Sequence, residues 1–260
     1  MTMKLGILGA GAIGGIIGAY LTRAGHDITL IDTWAANVEA IRAKGLVVTA
    51  VEEEFTTDIP AIHLGEVSSI QPRFDAVFLA VKSYDTEWSS KFIEPYLAPG
   101  GFVVSAQNGI NDDRIAEVIG WSRVVGCVVM FGGGMYEPGH VLRTSPNTKD
   151  ATILGEPSGL ETSRIKKLSE ALTALGPSKT TTNLWGQRWA KLGINCMSNA
   201  IAGFTGLTSA EIRQYPEVRS VSIQVTAELI KVARALGVEV EPISGIPPQM
   251  YVDALSDGEV

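Results

Sequence analysis

The first 32 residues constrain this chain most. Lys4-Leu5-Gly6-Ile7-Leu8-Gly9 runs into Ala10-Gly11-Ala12-Ile13-Gly14, and Asp32 closes the next apolar run, Ile28-Thr29-Leu30-Ile31. Strand, glycine turn, helix, strand and acid in that order are what a βαβ unit needs to hold a dinucleotide. Gly9 permits the tight turn, Gly11 lets the backbone approach a pyrophosphate, and Gly14 lets the helix pack close to the strand. The free N–H groups and the positive end of the helix dipole then face the phosphates. A rival reading arises because Leu5 to Tyr20 carries no charge, as in a signal peptide or membrane span. Gly11/Gly15 and Gly14/Gly18 even fit the spacing of membrane helix contacts. The stretch is short for a span, however, and its glycines stand where the fingerprint wants them. Thr22-Arg23-Ala24-Gly25-His26 ends the helix and a β-branched strand follows, so the dinucleotide reading is preferred.

The remaining composition narrows the class. A chain of 260 residues allows one large or two modest domains, and 45% hydrophobic content supports a real core. The net charge of −7, with Lys and Arg scattered, argues against nucleic acid as the main partner. Cys127 and Cys196 are far apart and have no CxxC or nearby His pair. They suit a reducing cytoplasm rather than a disulfide framework or zinc site. His26, His63 and His140 are isolated, so no metal site is expected. No low-complexity tract or repeat stands out.

The first two-thirds alternates strand-like and helix-like runs. Strands are expected at Lys4–Leu8, Ile28–Asp32, Phe74–Val81, Phe102–Ala106 and Val124–Val129, and helices at Ala12–Ala24, Ala35–Lys44, Thr86–Tyr96 and Asn111–Ile119. This predicts a Rossmann-type, doubly wound α/β sheet with helices on both faces. Leu46–Ala50 and Phe55–His63 read as a small hairpin or meander, and Gly132-Gly133-Gly134 as a flexible turn. Gly139–Arg143 and Ala151–Gly155 read as antiparallel strands at the sheet edge. Ser163–Leu175 reads as a helix and Lys179–Thr182 as a last strand. From Leu184 the character is all-helical, with candidate helices at Leu184–Ala202, Ser209–Gln214, Glu217–Leu236 and from Gln249 to Leu255. The expected division is a dinucleotide-binding domain, 1–183, and a helical substrate domain, 184–260, with the substrate in the cleft between them. Val218–Leu236 reads as core, which leaves a homodimer open.

Ligands of a doubly wound sheet lie beyond the carboxyl ends of its strands. Lys82 follows the buried strand ending at Val81, and Asn108 follows the strand ending at Ala106. Singly, each reads as an ordinary loop residue; together, at the ends of neighbouring strands, they mark a site. The helical region adds Lys191, Asn195 and Asn199 at i, i+4 and i+8, one stripe of an α-helix, among Trp189, Leu192, Ile194, Cys196 and Met197. A lysine and two asparagines in so apolar a helix are costly unless they meet partners or a ligand.

These residues also resemble the ketopantoate reductase family, the 2-dehydropantoate 2-reductases. The matching pieces are Gly9-Ala10-Gly11-Ala12-Ile13-Gly14, Val81-Lys82-Ser83, Gln107-Asn108-Gly109, Lys191 through Asn195 to Asn199, and the following run to Leu207. The resemblance implies NADPH-dependent reduction of 2-dehydropantoate, a small 2-oxo acid, to pantoate, a step toward coenzyme A. It implies Lys191 as proton donor and substrate contacts from Asn195 and Asn199. Asn108 would bridge cofactor and substrate, and Lys82 would lie near either.

Two features depart from the family. Asp32 stands where an NADP(H)-binding member usually offers a basic or neutral residue. A carboxylate there accepts a bond from a free ribose 2′-OH and repels a 2′-phosphate, so residue chemistry favours NAD(H). The family's later Ser-Met…Asp…Thr-Glu segment, with a serine for substrate and a glutamate near the cofactor, has no clear counterpart. Gln249-Met250-Tyr251-Val252-Asp253 matches its start only loosely, so the chain is expected to be a fragment or a divergent member. Rival functions are a dehydrogenase of another small 2-oxo or 2-hydroxy acid and a non-catalytic NAD(P) sensor. Lys191 argues against the sensor, which needs no proton donor.

Overall fold

The computed structural model describes residues 3–71, 73–147 and 149–256. They form two compact units, divided between Thr182 and Asn183. In the first, chain order runs β1 (Lys4–Leu8), α1 (Ala12–Arg23), β2 (Asp27–Asp32), α2 (Ala35–Lys44), β3 (Leu46–Thr49), β4 (Glu54–Thr57) and β5 (Ala61–His63). It continues through β6 (Phe74–Leu79), α3 (Thr86–Ile93), β7 (Leu97–Ser105), α4 (Asp112–Ile119), β8 (Val124–Val129), β9 (Gly133–Glu137) and β10 (His140–Arg143). β11 (Thr152–Gly155), α5 (Ser163–Leu172) and β12 (Ser178–Thr181) complete it.

Eight strands make one sheet in the order β12-β11-β8-β7-β6-β1-β2-β5. Every neighbouring pair is parallel except β11 and β8. The strand order reverses between β1 and β6, so the crevice of a doubly wound sheet opens beside the glycine turn. One face is sealed by α1, α2 and α5 over Leu5, Ile7, Leu30 and Phe78; the other by α3 and α4 over Leu8, Ile31, Val77 and Leu79. Burial on both faces explains why these strands are apolar throughout rather than alternating.

A second sheet, β4-β3-β10-β9, covers the far side of α1. That helix is buried from Gly14 to Leu21, which accounts for its missing charges without a membrane. Its glycines admit neighbours on both sides. A Cβ on Gly18 would lie 2.7 Å from Leu30 Cδ2 in the main sheet, and one on Gly15 2.9 Å from Val141 Cγ1 in the second. No helix among the described residues is long and apolar enough to cross a membrane.

The second sheet corrects several expectations. Gly133 and Gly134 are not a turn but the start of β9, where a Cβ on Gly133 would lie 2.6 Å from Ile16 Cδ1 of α1. β10 is not at the edge of the main sheet; it pairs parallel with β3 and antiparallel with β9. β11 is interior, because β12 lies outside it. Phe55–His63 splits, β4 joining the second sheet and β5 the main one, with Pro60 between them. β7 begins at Leu97, earlier than expected, with a register shift against β6.

The second unit comprises α6 (Leu184–Ile194), α7 (Ile201–Thr205), α8 (Ser209–Gln214), α9 (Pro216–Ala235) and α10 (Pro248–Ser256). Its core gathers Ala190, Ala227, Ile230, Ala233, Ile243 and Tyr251. The expected single helix over Leu184–Ala202 is interrupted: Asn195–Ala200 is a π-helical segment between α6 and α7. Ser198 Oγ donates to the Ile194 carbonyl at 2.7 Å, a back-bond that competes with the regular ladder. Residues 257–260, at the end of the expected helical domain, lie outside the described residues.

One polar cluster ties the β3–β4 turn to α1. Arg23 holds Glu53 through two bonds of 2.6 and 2.9 Å, Tyr20 Oη donates to it at 2.9 Å, and Asn147 Nδ2 at 3.2 Å. The Arg23 guanidinium, then burial opposing it, then Tyr20, leave the carboxyl lowered from 4.5 to about 2. Folding favours the charged form, so this stabilisation is complete above the ordinary carboxylate range and drains away as pH falls toward about 2. Glu53→Gln is expected to lower stability at neutral pH and to flatten the acid limb of a denaturation series. An acid limb as steep as that of the wild type would contradict this role.

Candidate functional site

In the first unit the site grows from the end of β1. Gly9 adopts φ +99°, a conformation that strains any L side chain, and turns the chain into α1. A methyl on Gly14 would run into the Gly9 carbonyl oxygen and come within 2.9 Å of Ile7 Cγ2. At Gly11 a methyl would meet nothing within 4 Å, and this N-cap residue has no side-chain cap. The protein therefore needs glycine at 14 for its own packing, whereas at 11 the space above the backbone is open. Ala10, Ala12 and Ile13 complete the turn and the first helical residues. The uncapped N–H groups and the helix dipole leave this end of α1 able to cradle a phosphate.

Asp32 lies across the turn from this cradle. Its Oδ2 accepts from Ala10 N–H at 2.8 Å and its Oδ1 from Trp34 N–H at 3.0 Å. The acid thus locks the glycine turn to the end of β2, a task not apparent from its spacing. A cavity of about 380 Å³ opens here, lined by Gly9, Asp32 and Thr33 together with Asp85, Trp88 and Ser89. Arg42, the basic residue that follows on α2, is already committed: its Nε donates to Ala61 O at 2.8 Å and its Nη1 to Glu39 at 3.2 Å, and it also pairs with Glu66.

Lys82 and Asn108 are both exposed, at the ends of β6 and β7. Their loops are knitted together by neighbours to which the sequence reading gave no role of their own. Ser83 Oγ donates to the Asn108 carbonyl at 3.2 Å, and Asn111 Nδ2 donates to it at 2.9 Å. Buried Gln107 donates to Val81 O at 2.9 Å and bonds Thr86 Oγ1. The amide of Gln107, beside an obvious Asn-Gly turn, was the available signal.

In the second unit, Lys191 and Asn195 are half-buried and Asn199 is exposed. The π segment breaks the regular angular spacing assumed for an α-helix beyond Asn195. Asn199 Nδ2 nonetheless donates to Asn195 Oδ1 at 3.2 Å, so the two amides adjoin. Lys191 has no ion-pair or side-chain hydrogen-bond partner among the described residues, and burial pushes its pKa below the usual lysine range. Among the described residues no group of three or more His, Cys, Asp or Glu is arranged for a metal ion.

The two glycines separate folding from binding. Gly14→Ala is expected to cost roughly 1–3 kcal/mol or more through overpacking. Gly11→Ala should melt near the wild type but bind a dinucleotide more weakly. Thermal melts and equilibrium titrations check both, and a Gly11 variant with unchanged affinity would refute the cradle.

Comparison with known proteins follows this geometry. The family "Ketopantoate reductase PanE/ApbA" matches residues 5–159, and its C-terminal counterpart matches residues 183–254. The 2-dehydropantoate 2-reductase of Pyrococcus abyssi is 31% identical over 254 residues, which covers 95% of this chain and 77% of that protein. The enzyme of the same name from Aquifex aeolicus is 28% identical over 235 residues, covering 89% and 73%. A PanE/ApbA family ketopantoate reductase from Ralstonia eutropha JMP134, known from its crystal structure, superposes with a TM-score of 0.80 at 30% identity. That match covers 98% of this chain and 81% of the other. With its glycine cradle, its helical second unit and matches running through both, this chain belongs to the ketopantoate reductase family.

Proposed function

We propose that this protein reduces 2-dehydropantoate to pantoate, a step toward pantothenate and coenzyme A, with NADH as the preferred reductant. The observation that carries the reading is Lys191, a half-buried lysine with no ion-pair or side-chain hydrogen-bond partner among the described residues, one helical turn from Asn195. The fit to a nicotinamide dinucleotide rests on the open backbone at Gly11, the uncapped start of α1 and the adjoining cavity. Gly9, Ala10, Gly11, Ala12, Ile13 and Gly14 would hold the pyrophosphate, and Asp32 the adenosine side.

When bound, the reduced nicotinamide supplies a hydride. Lys191 would serve the other half of the chemistry. As the ketone carbon is reduced, negative charge grows on its oxygen. The Lys191 ammonium stabilises that charge and then delivers its proton to give the alcohol. Its lowered pKa makes the proton easier to give than that of a surface lysine. Asn195 and Asn199 would offer amide donors and acceptors to the substrate's hydroxyl and carboxylate. Asn108 would bridge cofactor and substrate, and Lys82 would add positive charge near one of them.

The NADH preference follows from charge. Asp32 and Asp85 line the cavity, and Arg42 is tied to Glu39 and Glu66. A 2′-phosphate entering there would meet two carboxylates and no free arginine from α2.

Lys191→Ala should lose about 10²–10⁴ in kcat while NADH still binds. In the wild type, kcat should fall as pH rises through the lysine's lowered pKa, below the range of a free lysine, because the protonated form is the active one. Near-normal turnover by Lys191→Ala with 2-dehydropantoate would refute the assignment. So would faster turnover of another small 2-oxo acid by the wild type, as regards the substrate.

A further inference from the structure

A second carboxylate stands beside Asp32, and it is the one left free. Both oxygens of Asp32 already accept backbone N–H groups, from Ala10 and Trp34. Asp85 occupies the N-cap position of α3, where an aspartate ordinarily bonds the helix's first N–H groups. It makes no such bond, because a 3₁₀ turn over Ser83–Asp85 runs directly into α3 and leaves Asp85 at φ −95°, ψ 1°, outside the extended geometry of a cap. Its exposed carboxylate has no hydrogen-bond or ion-pair partner among the described residues.

Asp85, Trp88 and Ser89 stand at i, i+3 and i+4, one face of α3, and all three line the cavity that Asp32 and Gly9 share. Ser89 supplies an independent sign of a ligand. Its hydroxyl is fully buried and finds no partner among the described residues, an expensive state for a polar group. The polar equipment on this wall is thus an unengaged acceptor and an orphaned hydroxyl. That suits neutral groups bearing N–H or O–H donors and opposes an anion. Lys82, three residues before Asp85, is not among the cavity's lining residues.

We propose that Asp85 is a selectivity residue for the cofactor. Its carboxylate accepts a hydrogen bond from a donor group of the adenosine half, with Ser89 Oγ beside it, and together with Asp32 it repels a 2′-phosphate. This inference rests on the reading above that the cavity takes a nicotinamide dinucleotide, and it moves the free recognition charge from Asp32 to Asp85.

Calorimetric titration of the full chain with NADH, NADPH, ADP-ribose and its 2′-phosphorylated form tests this without turnover. The wild type should favour the unphosphorylated member of each pair, and the preference should narrow as salt is raised. Asp85→Asn should reduce the preference by about tenfold, mainly by tightening the phosphorylated ligands, and Asp85→Lys should reverse it. Melting temperatures should not move, because the carboxylate has no hydrogen-bond or ion-pair partner among the described residues. Asp32→Asn should instead lower the melting temperature, since it weakens the lock on the glycine turn. A wild-type preference for NADH that survives in Asp85→Asn overturns this inference alone and leaves the proposed function standing. A wild type that favours NADPH overturns both the inference and the NADH assignment. Failure of all four ligands to bind overturns the dinucleotide reading itself.

Discussion

The absence of space between Gly14 and the Gly9 carbonyl is the constraint on which the rest of the first unit depends. Only a residue without a side chain lets α1 start this close to the end of β1. That contact aims the uncapped end of the helix into the crevice where strand order reverses. Asp32 then fixes the turn from the far side through the Ala10 N–H. The same closeness continues down the helix at Gly18, where Leu30 takes the place of a side chain. A helix so enclosed has no face for a charge until Arg23, and the charge there is spent on Glu53.

Much of this was legible in the chain. The main sheet could be read because a strand buried on both faces becomes a continuous apolar run, and Phe74–Leu79 and Val124–Val129 are such runs. The second sheet could not. It pairs β3 with β10, about ninety residues apart, and no local pattern announces a parallel partner at that distance. Gly133 and Gly134 looked like a turn because glycine is the commonest turn residue; here the need was for thinness against Ile16. The π segment was invisible for a related reason. Asn195–Ala200 contains no proline or glycine to mark a break, and the interruption coincides instead with a Ser198 back-bond.

The candidate site was legible to an uneven degree. Glycines and acids at fixed spacing carry their geometry with them, so the cradle and Asp32 could be named from spacing alone. The double duty of Asp32 could not, since backbone N–H groups leave no trace in a sequence. Nothing in the sequence marks Asp85; its uncapped position and its place on a cavity wall with Ser89 exist only in three dimensions. Lys191 stands out because a lone ammonium in an apolar helix is expensive, and the fold leaves it half-buried and without an ion-pair or side-chain hydrogen-bond partner among the described residues. On the proposed reading, binding falls to backbone dipoles and carboxylates in the first unit, and chemistry to a half-buried lysine with two amides in the second.

The central claim is that these devices make one reductase, and a single-turnover experiment reaches it directly. Excess protein is mixed with limiting NADH and 2-dehydropantoate, and reduced nicotinamide and pantoate are followed together. Loss of one equivalent of NADH with formation of one equivalent of pantoate is the predicted result. NADH that binds and stays reduced while the 2-oxo acid is recovered unchanged would contradict it and leave a dinucleotide-binding protein without this chemistry.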